Sequence, residues 1–291
     1  MKIPRAIACA AALLCAGFAH GEGTPSGQAA MLQAQYAEFR GEPVESRFHR
    51  PLRIESSEGK QAIAGQIHAL VDSPYAVTVA ALKDPSHWCE ILLLHLDTKD
   101  CHVFSEDGGT ALRMGVVTHY DQPPSSAFSA TFKYHVAEET RDFLDVRLDA
   151  AKGPMGTSNY LIVLEAMPAE GGQTFIRMSY SYAYGVMAKI AMSAYFVTFG
   201  RGKVGFTIVS AEPGGPTHFI GGMRGVVERN TMRYYLAVEA YLAALSAPEE
   251  ARREKSLRDW YAAVEHYPVQ LHEMEQGEYL AMKRREFAAQ S

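Results

Sequence analysis

The sequence predicts an α+β protein, with an antiparallel sheet in the first two thirds of the chain and helices in the last third. Three observations carry this. Residues 50–184 hold a series of short segments with apolar residues at every second position, separated by Gly- and Pro-containing turns, which is the pattern of strands with one covered face. Residues 224–245 carry Val227, Thr231, Tyr234, Val238, Tyr241 and Leu245 at spacings of three and four, the stripe of one long helix. Residues 248–266 and 269–289 repeat the helical spacing on either side of Pro268.

The chain opens with Lys2 and Arg5, an apolar run at 6–16, and the small residues Gly17 and Ala19. These are the three parts of a secretory signal peptide, with cleavage expected after Ala19. The apolar run is too short to cross a bilayer, which takes roughly 20 residues. Export is therefore expected: periplasmic in a Gram-negative cell, otherwise secreted. Without Lys2 and Arg5, the balance of 28 basic and 33 acidic residues moves to a net charge of about −7. Such a surface does not attract phosphate, so nucleic acid is not expected as a partner. Cys9 and Cys15 leave with the peptide. Cys89 and Cys101 remain, and an oxidising compartment favours a disulfide between them over two buried thiols. With no second CxxC and no paired histidines, neither a metal nor a cofactor is expected.

Residues 20–49 read as a lead followed by a short helix at 29–40, with Leu32, Tyr36 and Phe39 on one face. Strands follow at 52–56 and 63–71, joined around Glu58-Gly59. Ser73-Pro74 reads as the cap and first position of a helix carrying Val77, Ala81 and Leu82, which ends at Asp84-Pro85. A second apolar segment occupies 88–94. Further strands are expected at 112–120, 128–136, 143–150 and 160–167. In the third of these, Leu144, Val146 and Leu148 alternate with Asp145, Arg147 and Asp149, as in a sheet with one solvated face. A last strand at 174–184 sets Ile176, Met178, Tyr180, Tyr182 and Tyr184 on one side. An apolar helix at 186–199 and two short strands, 203–209 and 218–220, precede the long helix.

The segment AGQIHALVDSPYAVTVAALKDPSHW at 64–88 resembles the opening of START-like (SRPBCC) proteins through Gly65, Val71, Pro74, Val77, Leu82, Asp84 and Trp88. With the later strands and the long helix, the resemblance covers about residues 52–245. It implies a helix-grip fold, a curved antiparallel sheet around a long helix with an apolar cavity between them. The START-like domain would span 50–245, with extra C-terminal helices at 246–291 packed on it. The stretch GMRGVVERNTMRYYLA is similar to one in exported bacterial proteins, which adds no function. Members of the START-like group bind lipids, sterols, polyketides or hormones, and some catalyse cyclisation or hydrolysis in the cavity. This sequence departs from them in the helix at 186–199 with its hairpin, and in the added C-terminal helices, which could cover or fill the cavity.

The resemblance makes a lipid or other apolar small molecule the expected partner, with no catalytic residue assigned. The candidate lining is Phe132, Tyr134, Met178, Tyr180 and Tyr182 from the sheet, with Tyr234, Val238 and Tyr241 from the helix. Arg224 is placed at the rim for an anionic head group. The same tyrosines could equally pack as core under a helix. Arg229 and Arg233 project from the side of the helix opposite the stripe. For an enzyme of this fold, Glu228 or Glu239 would be the acid/base, and His119, Asp121 and His135 could converge from neighbouring strands. Nucleophile-elbow, zincin and phosphate-loop motifs are all missing. Lys283-Arg284-Arg285 offers a peripheral contact with an anionic membrane, or a solvated helix face. A third reading is an interaction module with a plugged cavity.

Overall fold

The computed structural model describes residues 26–45, 47–48, 50–186, 189, 202–211 and 215–290. The expected signal peptide and most of the helix expected at 186–199 lie outside the described residues.

Eight strands form one antiparallel sheet in the order β1-β2-β8-β7-β6-β5-β4-β3. They are β1 (Leu52–Glu58), β2 (Ala62–Val71), β3 (Thr98–Glu106), β4 (Gly109–Val116), β5 (Phe128–Glu139), β6 (Leu144–Lys152), β7 (Thr157–Pro168) and β8 (Thr174–Tyr184). Helices α2 (Tyr75–Leu82) and α3 (Pro85–Leu92) carry the chain from β2 to β3. The period-two patterning sets the inner face: Gly65, Tyr180, Ile162, Leu148 and Tyr134 lie opposite one another across five strands. On this face lies α4 (Gly222–Ala244), packed against β1, β2 and β8. The result is the helix-grip architecture that the START-like resemblance implied, a long antiparallel sheet with the long helix in its grip.

Backbone approach decides where strand and helix touch. A Cβ on Gly65 would collide with Thr231 Oγ1 and lie 3.3 Å from the Val227 carbonyl oxygen, so only glycine fits there without a shift. On the opposite face sits α1 (Gly27–Arg40), whose first turn is capped by Ser26 Oγ accepting from the Ala29 N–H. Its Leu32 and Phe39 join Phe143 and Phe175 in a small second core. After β8 come a hairpin, β9 (Ile208–Ala211) and β10 (Thr217–Phe219), and beyond α4 come α5 (Glu249–Glu265), α6 (Pro268–Leu271) and α7 (Gln276–Ala288). These last helices pack behind α4, where Trp260 donates its indole N–H to the Arg233 carbonyl at 3.1 Å. The expected disulfide is present: Cys89 on α3 and Cys101 on β3 are bonded, with Cα atoms 5.2 Å apart. Among the described residues no helix is long and apolar enough to cross a membrane.

Several expected elements differ. Helix α2 starts one residue late, with Pro74 itself in extended conformation at the cap and the buried Ser73 hydroxyl without a hydrogen-bond partner among the described residues. Strand β3 was not expected, because its polar residues Lys99, Asp100 and His102 break the alternation. The strand expected at 112–120 stops at Val116, and the residues after it form a loop. The helix expected at 269–289 is interrupted at residues 272–275, between α6 and α7.

Candidate functional site

Two alternate residues of β8, one of β7 and one of α4 build an aromatic wall. Tyr180 and Tyr182 share the inner face of β8. Tyr160 stacks on Tyr182 with ring centroids 5.0 Å apart, and Tyr234 comes down from α4 to 5.5 Å from Tyr180. The Tyr160 hydroxyl lies 2.7 Å from Thr157 Oγ1. Burial pushes all four phenols above their ordinary value, so they stay protonated and able to donate.

A charged wall meets this one at Tyr234. Arg229 and Arg233 stand one helical turn apart on α4 and are only 4% and 2% exposed. Both reach Glu273, which sits in the break between α6 and α7. Arg233 Nη2 donates to Oε1 at 2.9 Å, Arg229 Nη2 approaches the same oxygen at 3.4 Å, and Lys203 Nζ donates to Oε2 at 2.6 Å. Arg233 Nη2 also donates to the Leu271 carbonyl at 3.1 Å. Burial alone would raise the Glu273 carboxyl, but Arg233 and Lys203 outweigh it and hold the group below the usual carboxylate range. Asp97, nearby, goes the other way: burial raises it against the pull of Arg233. Burial, Arg233 and Lys283 together drive His95 well below its ordinary value, so its ring, stacked 4.9 Å from Tyr234, is neutral.

Between these walls is a cavity of about 130 Å³, whose rim is made by Val116 to Tyr120 after β4 and by Pro154-Met155 before β7. Of the expected lining, Tyr180, Tyr182 and Tyr234 face this space. Phe132, Met178 and Val238 are core side chains beside it. Tyr134 is also buried and donates its hydroxyl to the Leu82 carbonyl at 3.1 Å. Tyr241 lies farther along α4 against His87, 5.4 Å between ring centroids. Arg224 is not among the lining residues; its Nε donates to Ser56 Oγ at 2.9 Å beside the β9 hairpin.

Arg229 and Arg233 are the main correction. They were expected on an outward side of the helix, and they are buried because α5 to α7 give α4 a second covered face. The two candidate glutamates do not line the cavity. Glu228 is fully buried and accepts four hydrogen bonds, from the Ser56 and Thr207 hydroxyls and the Phe206 and Thr207 N–H groups. Glu239 pairs with Arg50 and accepts from the Tyr235 hydroxyl. His119 and Asp121 do meet, 2.6 Å apart at the rim, whereas His135 stands apart beside Asp149. Lys283 is not on a solvated face: its Nζ is buried, donating to the His95 and Thr98 carbonyls and to Glu286, while Arg284 pairs with Glu254. Among the described residues no cluster of His, Cys, Asp and Glu could hold a metal ion.

No family model matches the sequence, and no curated protein matches it. Solved structures similar to the chain include human StAR-related lipid transfer protein 5, at 8% identity over 76% of this chain and 97% of that one, TM-score 0.38. Another is Ara h 8.0201, at 12% identity over 67% of this chain and 99% of that one, TM-score 0.36. A third is norcoclaurine synthase from Thalictrum flavum, at 14% identity over 49% of this chain and 82% of that one, TM-score 0.33. Likenesses this distant carry no argument about function.

Proposed function

We propose that the protein is an exported binding protein that holds a small molecule between its sheet and its long helix, by burial and hydrogen bonding rather than covalent chemistry. One observation carries the reading: the cavity of about 130 Å³, aromatic on one side and charged on the other, at the junction of β7, β8 and α4. An apolar cavity of about 150 Å³ accommodates benzene, and drug-sized ligands occupy about 300–1,000 Å³. The expected lipid therefore narrows to a guest of about one ring, because a long acyl chain would have to displace packed core. Four protonated phenols offer donors and acceptors that orient such a guest. The glutamates first considered as acid/base are engaged elsewhere, which weighs against an enzyme built on them. Export is supported by residues 1–19 and by the disulfide.

Native mass spectrometry of the purified chain tests this. The expected result is a polypeptide beginning at His20 with one small guest bound, and a Val116→Phe variant that folds, yet carries none because the added ring fills the space. A chain that arrives empty and takes up neither one-ring compounds nor fatty acids would remove the proposal.

A further inference from the structure

We infer that the guest carries a carbonyl oxygen, which accepts a hydrogen bond from the Nε2–H of His95 while the guest's ring lies among the tyrosines. This rests on the binding reading above and specifies the group that the guest presents.

His95 lies in the bend between α3 and β3, and its ring is held in place from three directions. Its backbone carbonyl accepts from Lys283 Nζ at 2.6 Å and from the Thr98 N–H at 3.2 Å. Tyr234 covers one ring face, with centroids 4.9 Å apart and planes 30° apart. Nδ1 accepts the Asp97 N–H at 3.1 Å. That last contact fixes the tautomer, because a nitrogen that accepts an N–H carries no proton of its own. An imidazolium has a proton on both nitrogens and could not accept, so the ring is neutral and its one proton is on Nε2. Burial and Arg233 favour the same neutral form.

His95 lines the cavity and is only 2% exposed, yet its Nε2 has no hydrogen-bond partner among the described residues. Asn230, one helical turn before Tyr234 on α4, stands near enough to oppose the lowering of the ring, but forms no aligned hydrogen bond with Nε2. Turning the ring over would take Nδ1 away from the Asp97 N–H. A buried donor left unmet is costly, so the acceptor comes from what enters the cavity. An ammonium or a hydrocarbon supplies none. A carbonyl oxygen supplies two lone pairs, one for Nε2–H and one for a tyrosine hydroxyl. The N–H lies in the plane of the imidazole, so Tyr234, which covers a face, leaves that edge open. Tyr234 also neighbours Tyr180, at 5.5 Å between centroids. A ring resting among Tyr160, Tyr180 and Tyr182 can therefore set a carbonyl attached to it against the edge of His95.

Acetophenone and 2-phenylpropene have nearly the same shape and only the first has an acceptor, so calorimetric titration of the purified chain with each isolates the hydrogen bond. Acetophenone is expected to bind about tenfold more tightly. His95→Asn keeps an acceptor near the place of Nδ1 but has no atom at that of Nε2, and should bring the two affinities together. His95→Gln, whose amide N–H reaches the place of Nε2, should restore part of the difference. Nitrogen-15 NMR of the wild type needs no variant: it should show the proton on Nε2, with that signal moving when acetophenone binds and staying put with 2-phenylpropene. A proton on Nδ1, or an Nε2 signal that acetophenone leaves in place, would overturn the inference. Equal binding of the two compounds, as a resident water on Nε2 would produce, or a preference that His95→Asn leaves intact, would overturn the carbonyl while leaving a small-molecule cavity in place. Failure of both compounds to bind would overturn both readings.

Discussion

At Gly65 a single missing side chain sets the distance between sheet and helix. Alanine there would drive a methyl into Thr231 and against the Val227 carbonyl, so β2 or α4 must move. Overpacking of this kind costs about 1–3 kcal/mol. Gly65→Ala should lose that much in urea unfolding, while Gly59→Ala, whose added carbon meets only ordinary contact at 3.6 Å, should change stability by about 0.5 kcal/mol or less. Equal effects at the two glycines would remove the close-approach argument. Gly65 was legible in the sequence as one position of the 64–88 resemblance, and Tyr180 and Tyr182 through strict alternation on β8. Arg229, Arg233 and Glu273 were not. A helical stripe announces one buried face, and nothing in the local sequence of α4 says that helices arriving later will cover the other. Glu273 stands 40 residues beyond Arg233, in a break the helical spacing did not reveal.

Among the elements, α7 is attached through buried charge. Lys283 inserts its Nζ between two carbonyls and Glu286 under the α3–β3 connection, and Lys99 reaches the same carboxylate at 2.8 Å. Burial lowers the Lys283 ammonium to about 8, with Glu286 opposing the shift and Lys99 reinforcing it. Above that pH the folded chain has released a proton that the unfolded chain, with an ordinary lysine near 10.5, still holds. The unfolded state then binds more protons, so this group's contribution to stability rises as pH climbs from about 8 towards 10.5. Urea unfolding at pH 7.5, 8.5 and 9.5 should show the wild type gaining relative to Lys283→Met, whose profile lacks this rise; parallel profiles would contradict it. The tyrosines that burial raises are common to both proteins, so their titration cancels in the comparison. The docking of α7 could not be read from sequence, because Lys283-Arg284-Arg285 has the composition of a solvated helix face, and it is the His95 and Thr98 carbonyls, at the entry to the unexpected β3, that turn Lys283 inward.

Across the whole molecule, the charged wall joins three separate parts of the chain: Lys203 ahead of the β9 hairpin, the middle of α4, and the break between α6 and α7. Glu273 is the group they share, so its removal should be felt in the fold. Glu273→Gln leaves Arg229 and Arg233 in place with their shared carboxylate gone, and breaking a buried pair from one side costs about 3–5 kcal/mol. Because the wild-type carboxyl is held below its ordinary value, its contribution is present above pH 4.5 and is lost as pH falls through the lower folded value. The gap between the two proteins should therefore close in acid. A variant as stable as the wild type at neutral pH would mean that the three cations do not depend on this carboxylate.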